Sequence, residues 1–264
     1  MTPQDRLRQV VVTISEVFCV FGTLVGTGVI GTRVAESSGG VLAADATRLA
    51  PAGPAFSIWT VIYLGLAAYT VWQWLPAQAA RPRQRAVGWL VAASMILNAT
   101  WLLVTQQGWL WASVVDILLL ALVLGLLVAR LTELPAPDAA DHVLLDGTFG
   151  LYLGWVAVAT CANIAAAFVA SGVQLSDTAA DTLASVVLVV AAALGVLFAS
   201  RFGGRLAVAA AMAWGFAWIA VGRLTDQPLS QVTAITALVA AAIVVAAVPW
   251  SRRTPRLATS TPRY

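Results

Sequence analysis

Eight apolar runs, each near the twenty residues a helix needs to cross a bilayer, dominate this chain. They fall at about 10–31, 56–75, 86–105, 109–131, 146–170, 181–200, 205–222 and 230–250. In hydrocarbon every backbone N–H and C=O must be satisfied within its own segment, so runs of this kind are helices. The expected fold class is therefore all-α: a polytopic membrane helix bundle of about eight transmembrane helices, with N- and C-termini cytoplasmic. Between the third and fourth runs "QQG" (Gln106–Gly108) leaves room only for a tight hairpin, as does "RFGGR" (Arg201–Arg205) between the sixth and seventh. The seventh run is short and ends at Arg223.

Charge supports the same reading. Only 10% of the 264 residues are charged, against about 25% in soluble domains. The first run, Val10 to Ile30, exceeds the roughly 7–15 residues of a cleavable signal core, so it is expected to be retained, and no soluble domain is left over. All fifteen basic residues are arginines, read as lying in loops and tails. With the N-terminus inside, twelve of them fall on the inner side and only Arg33, Arg48 and Arg223 on the outer. That asymmetry fits the positive-inside rule and an even number of spans, in a multi-pass protein of a bacterial cytoplasmic membrane. The basic balance thus points to the lipid bilayer as partner and not to nucleic acid. The outer 32–55 stretch is long enough to act as a lid. "TELPAPDAAD" (Thr132–Asp141) reads as an inner linker, and the tail 252–264 is expected to be a basic disordered segment.

Few catalytic chemistries remain open. Cys19 and Cys161 both lie in apolar runs, which argues against a disulfide framework, and His142 is the single histidine, in a loop. A bis-histidine haem site is excluded, a metal site lacks ligands, and no catalytic residue is assigned. Walker, Rossmann and hydrolase-elbow motifs are absent.

The informative residues are polar groups inside the runs. An unpartnered side-chain amide costs several kcal/mol, on the order of 2–7, in an apolar medium, yet both asparagines, Asn98 and Asn163, sit in such surroundings. Helical spacing places Ser94, Asn98, Trp101 and Thr105 on one face of the third helix and Trp109, Ser113 and Asp116 on one face of the fourth. Tyr152, Trp155, Ala159 and Asn163 share a face of the fifth, and Phe56, Trp59 or Thr60, and Tyr63 a face of the second. Four consecutive helices with such stripes point to a shared interior lining. Asp116 is a functional-site hypothesis by default, its alternative being an interhelical bond to Asn98 or a backbone group. Glu16 is expected to snorkel or to pair with Arg6 or Arg8. Trp72, Trp74, Trp89, Trp109, Trp111 and Trp250 suit interfacial belts, and Trp214 with Trp218 suits packing. Gly22 and Gly26 form a GxxxG pair serving either a homodimer seam or close packing within the chain, with internal packing preferred.

"PAGPAFSIWTVIY" (Pro51–Tyr63), "LNATW" (Leu97–Trp101), "ASVVDILLL" (Ala112–Leu120) and "WVAVATCAN" (Trp155–Asn163) occur in this order. Together they resemble the TspO/MBR family of translocator and tryptophan-rich sensory proteins, over about residues 10–170. The resemblance implies a five-helix bundle (residues 1–175) with a pocket beneath the loop joining its first two helices, followed here by three additional helices over 176–251. It implies a tetrapyrrole ligand such as protoporphyrin IX or a haem-like porphyrin, with no required cofactor. Carried over by motif, Trp59, Tyr63, Asn98, Trp101, Asp116, Trp155, Ala159, Thr160 and Asn163 are the expected ligand-binding residues. Two departures stand out. Phe56 and Trp59 are spaced F-x-x-W where the family has F-x-x-x-W, giving a different register at the pocket mouth, and "NIAAAFVASG" lacks the tyrosine and basic residue of a sterol pattern, so cholesterol is not an expected ligand.

Three activities follow from the resemblance: a receptor or sensor binding a flat hydrophobic molecule, a transporter of tetrapyrroles or related molecules, and a light-dependent porphyrin-degrading protein. The order of preference is binding, transport, catalysis. Binding needs only an apolar pocket with a few placed polar groups, whereas transport would want broken helices or a clear inverted repeat, which are not evident.

Overall fold

A computed structural model describes residues 1–253 of the chain. It is helical, with eight helices long and apolar enough to cross a membrane among the described residues. They are α1 (Pro3–Gly26), α2 (Ile58–Trp72), α3 (Pro82–Gln106), α4 (Leu110–Glu133), α5 (Thr148–Ala170), α6 (Asp177–Arg201), α7 (Leu206–Thr225) and α8 (Gln231–Arg253). A 3₁₀ turn, Gly53–Ser57, leads into α2, and a short turn with a π-helical stretch, Ala139–Gly147, leads into α5.

Several boundaries differ from those expected, for local reasons. α1 begins at Pro3 because Thr2 and Asp5 form a reciprocal capping box: the Asp5 amide donates to Thr2 Oγ1 (3.3 Å) and the Thr2 amide to Asp5 Oδ2 (2.8 Å). It ends at Gly26 instead of near 31, since Gly28 and Gly31 adopt φ of 77° and 87°, which L side chains disfavour. His142 lies in the helical approach to α5 and not in a loop, with Nδ1 3.0 Å from Asp146 Oδ2. Arg252 and Arg253 complete α8, while residues 254–264 of the expected tail lie outside the described residues.

α1 lies along α3, and glycine sets their approach: a Cβ on Gly22 would come within 2.8 Å of the Ala99 Cα, and one on Gly26 would overlap Leu102. The GxxxG pair is thus used inside the chain. α4 and α5 extend the bundle from α3, and α7 docks on α5, where Gly154 meets the Val208 carbonyl and a Cβ on Gly215 would stand 2.9 Å from Val158 Cγ1. α8 packs against both α7 and α6. α7, the run expected to be short, is the most enclosed of the eight.

The two ends of the bundle are built differently. At the end holding both Pro3 and Arg253, buried ions tie the helices together. Arg83 of α3 reaches Asp141 and Asp146, and Arg205 Nη1 lies 2.9 Å from Asp146. Asp138 caps the turn before α5. The donated Asp141 amide, followed by Arg81, holds its carboxyl below the usual carboxylate range. Arg8, Arg83 and Arg223 are buried helical residues, which corrects the reading of every arginine as a loop or tail residue.

At the opposite end the segment from Thr27 to Ser57 covers the bundle and is tied down by side chains. Arg223 donates to the carbonyls of Thr47 (3.0 Å) and Ala44 (3.1 Å). Trp214 Nε1 donates to the Ala55 carbonyl (2.9 Å), and the Ala52 amide to that of Trp218 (3.1 Å). Arg48 pairs with Asp177 and Asp181 of α6. α6 and α7 therefore anchor the segment over the first two helices.

Candidate ligand cavity between α1 and α2

α1 and α2 are latched at the arginine-rich end, where Gln9 Nε2 donates to the Gln73 carbonyl (2.6 Å) and Trp74 Nε1 to Thr13 Oγ1 (2.9 Å). Beyond this latch a cavity of about 700 Å³ lies between the two helices, with the 27–57 segment over it and Trp101 and Leu102 of α3 reaching it. Its size is within the range of small-molecule sites, roughly 300–1,000 Å³. Trp59 and Tyr63, one turn apart on α2, stack with centroids 5.1 Å apart and planes at 16°, and both line the cavity.

Behind that pair stands an aromatic wall from α5. Tyr152 and Trp155 meet Trp59 edge-on at 5.7 and 6.3 Å, and Phe56 meets Trp155 at 5.6 Å. Edge-to-face contacts of this kind add about 0.5–1.5 kcal/mol each beyond burial. They fix the Trp59 ring and leave its stacked partner Tyr63 toward the cavity. Phe56, in the 3₁₀ turn, reaches both the cavity and Trp155, so the shortened F-x-x-W spacing still joins the mouth to this wall.

The asparagines have separate tasks. Asn98 Oδ1 accepts from Tyr63 Oη (3.1 Å) and Cys19 Sγ (3.6 Å), linking α3 to α2 and α1. Asn163 Oδ1 accepts from Trp101 Nε1 (2.7 Å), while its Nδ2 donates to Ser113 Oγ (3.0 Å), linking α5 to α3 and α4. Replacing Asn163 with alanine is expected to cost about 1–2 kcal/mol, as interhelical polar contacts in membranes do. Its check is the unfolding midpoint in mixed micelles; an unchanged midpoint would show that Trp101 and Ser113 find other partners.

Of the nine expected ligand residues, Trp59, Tyr63 and Trp101 line the cavity. Asn98 touches it through Tyr63, and Trp155 supports Trp59 from behind. Asp116, Ala159, Thr160 and Asn163 lie apart from its lining, so the four stripes form two layers and not one shared lining. Thr160 donates to the Val156 carbonyl of its own helix (2.7 Å). Asp116 is buried, and its Oδ2 has no partner among the described residues; Asn98 is engaged with Tyr63 and Cys19 instead.

The cavity also takes residues from α1 that the stripe reading missed. Glu16, Cys19 and Thr23 line it at i, i+3 and i+7 spacing, a pattern as regular as those on the other helices. Glu16 forms no ion pair with Arg6 or Arg8: Arg8 binds Asp5 and the Ala79 carbonyl, and Arg6 lies over the Trp74 ring at 5.7 Å. Cys19 and Cys161 are both free thiols.

Eight apolar helices enclosing buried polar links, with a roofed cavity between the first two, define an integral, multi-pass membrane protein. The chain belongs to the TspO family: the family model described as TSPO-like protein matches residues 10–250. That match runs through α6, α7 and α8, well past the 10–170 region of the sequence motifs. Comparison with curated proteins and with solved structures gives no match.

Proposed function

We propose that this protein is a receptor-like or sensor-like membrane protein that binds a flat hydrophobic ligand of porphyrin type in the cavity between α1 and α2. The observation carrying this reading is the stacked Trp59–Tyr63 pair on the wall of a roofed cavity of about 700 Å³. Large ring faces in a largely apolar site favour a flat aromatic partner. The porphyrin class comes from the motif resemblance and the family membership. The arginine-rich end faces the cytoplasm in this reading, by the positive-inside rule, which puts the 27–57 segment on the outer face of a bacterial cytoplasmic membrane.

Protoporphyrin IX titrated in the dark into detergent-purified protein, read by tryptophan quenching, tests it. Saturable binding is expected, weakened about tenfold by Trp59→Phe, in line with the loss of roughly 1.4 kcal/mol of stacking. Trp155→Phe should weaken it less, because that ring stands behind Trp59, and Trp250→Phe should leave it unchanged. Saturable binding indifferent to Trp59 would move the site elsewhere. Illuminating the same samples separates binding from degradation, since only the latter bleaches the porphyrin in a Trp59-dependent way.

A further inference from the structure

The cavity between α1 and α2 is lined by one acid and one base, and they are well separated. Arg33 stands at the mouth beside Gly28, while Glu16 lines the wall lower on α1. From Glu16 to Gly26 the helix rises about 15 Å. Glu16 is 7% exposed, and its Oε2 has no hydrogen-bond partner among the described residues. A buried carboxylate oxygen in that state is costly unless something supplies a donor.

Three donors of the cavity wall are committed elsewhere. Thr23 Oγ1 donates to the Cys19 carbonyl (2.9 Å), while Tyr63 Oη and Cys19 Sγ both donate to Asn98. Arg8 is held by Asp5 and Ala79, and Arg33 is at the far end. Glu16 thus lines an aromatic-walled cavity with a carboxylate oxygen that has no hydrogen-bond partner among the described residues.

We propose that Glu16 is a recognition residue of this cavity, selecting hydrophobic aromatic ligands that carry a protonated amine. The N–H groups of such a ligand complete the carboxylate, its rings lie along Trp59 and Tyr63, and Arg33 at the mouth favours entry with the amine leading toward Glu16. This inference rests on the reading of the cavity as a site for flat aromatic ligands and departs from it in the polar end, favouring an amine over the acids that protoporphyrin IX carries.

The test compares three probes with one ring system, 1-naphthylmethylamine, 1-naphthalenemethanol and 1-naphthylacetate, by calorimetric titration of the full chain in detergent. The amine is expected to bind about tenfold tighter than the alcohol, as a charge-assisted hydrogen bond allows, and the acetate most weakly. Glu16→Gln should remove the preference, bringing the amine's affinity down about tenfold to that of the alcohol measured on the same variant. Equal affinities for amine and alcohol, or a preference that survives in Glu16→Gln, would overturn the proposal. If Glu16→Gln yields no folded protein by size-exclusion, Glu16→Asp takes its place. The shortened acid should keep the amine preference at reduced size, and a preference of undiminished size would count against Glu16. Trp59-dependent protoporphyrin IX binding without any amine preference would remove Glu16's role and leave the cavity reading standing. Absence of saturable binding by all four molecules would remove both.

Discussion

Arg223→Met is expected to lower the stability of the protein by about 3 kcal/mol and to release the segment over the cavity. The guanidinium is fully buried in the last turn of α7 and, among the described residues, bonds to carbonyls: Thr47 and Ala44 of the covering segment, and Pro228 (3.0 Å) and Gln227 (3.5 Å) of the following turn. Hydrogen bonds to a charged group are worth roughly 1.5–3 kcal/mol net, and unsatisfied buried acceptors add to the loss. Methionine keeps much of the volume while removing every donor, so packing changes least. By contrast Arg48→Ala, which removes the tie to the exposed Asp177 and the half-buried Asp181, should cost no more than about 1 kcal/mol, because rim ion pairs are screened. The two variants are compared by denaturation midpoint in mixed micelles and by amide exchange over residues 41–56. Arg223→Met should accelerate exchange there and weaken porphyrin binding through the loosened roof. A lower midpoint with unchanged exchange over 41–56 would mean that Arg223 serves only the α7–α8 turn.

The same residue shows what sequence reasoning can and cannot reach. Arg223 closes an apolar run, so charge counting assigns it to an outer loop, and nothing local indicates that the carbonyls it binds lie some 175 positions earlier. The spans themselves were legible because hydrocarbon leaves the backbone few choices, and "QQG" and "RFGGR" were legible as turns because Gly108, Gly203 and Gly204 supply the positive φ such turns need. Helical spacing showed correctly that Asn98 and Asn163 point inward, since 3.6-residue periodicity reports a face. It does not report which neighbour that face meets. Thus Asn98 joins α3 to α1 and α2, while Asn163 joins α5 to α4 and to Trp101 on α3, and only part of the expected lining meets the cavity. Glu16 was missed for a related reason. Two arginines lie within three turns of it in sequence, and only the tertiary structure shows Arg8 engaged by Asp5 and the 73–82 turn. Trp214 and Trp218 do pack as a pair, 5.6 Å apart, and they also carry two of the bonds that fasten the 52–55 backbone, a role invisible without the fold.

The second large effect lies at the opposite end, where Arg83→Met should cost about 3–5 kcal/mol, the range for breaking a buried ion pair by removing one partner. Arg83 is 4% exposed and bridges Asp141, which is wholly buried, and Asp146, also buried. The two acids are not left equally exposed to its loss. Among the described residues Asp146 retains Arg205 at 2.9 Å and His142 at 3.0 Å, whereas Asp141 retains only Arg81 at 3.7 Å. Most of the penalty therefore belongs to Asp141, and a double mutant should show it. Arg83→Met with Asp141→Asn should recover well over half of the loss, while Arg83→Met with Asp146→Asn should recover less, because that change also strands Arg205. Simple additivity of the single costs would refute the coupling that contact at this distance demands. Arg130→Ala supplies the control: its pair with Glu133 is exposed on both sides and should be worth less than about 1 kcal/mol. The consequence extends to the cavity, because Asp141 and Asp146 precede α5 and fix its register against α3. A shift of α5 moves Tyr152 and Trp155, the rings that hold Trp59 in place. Porphyrin affinity should therefore fall in Arg83→Met and return with stability in the Asp141→Asn double mutant, which ties the ion network at one end of the bundle to the aromatic wall near the other.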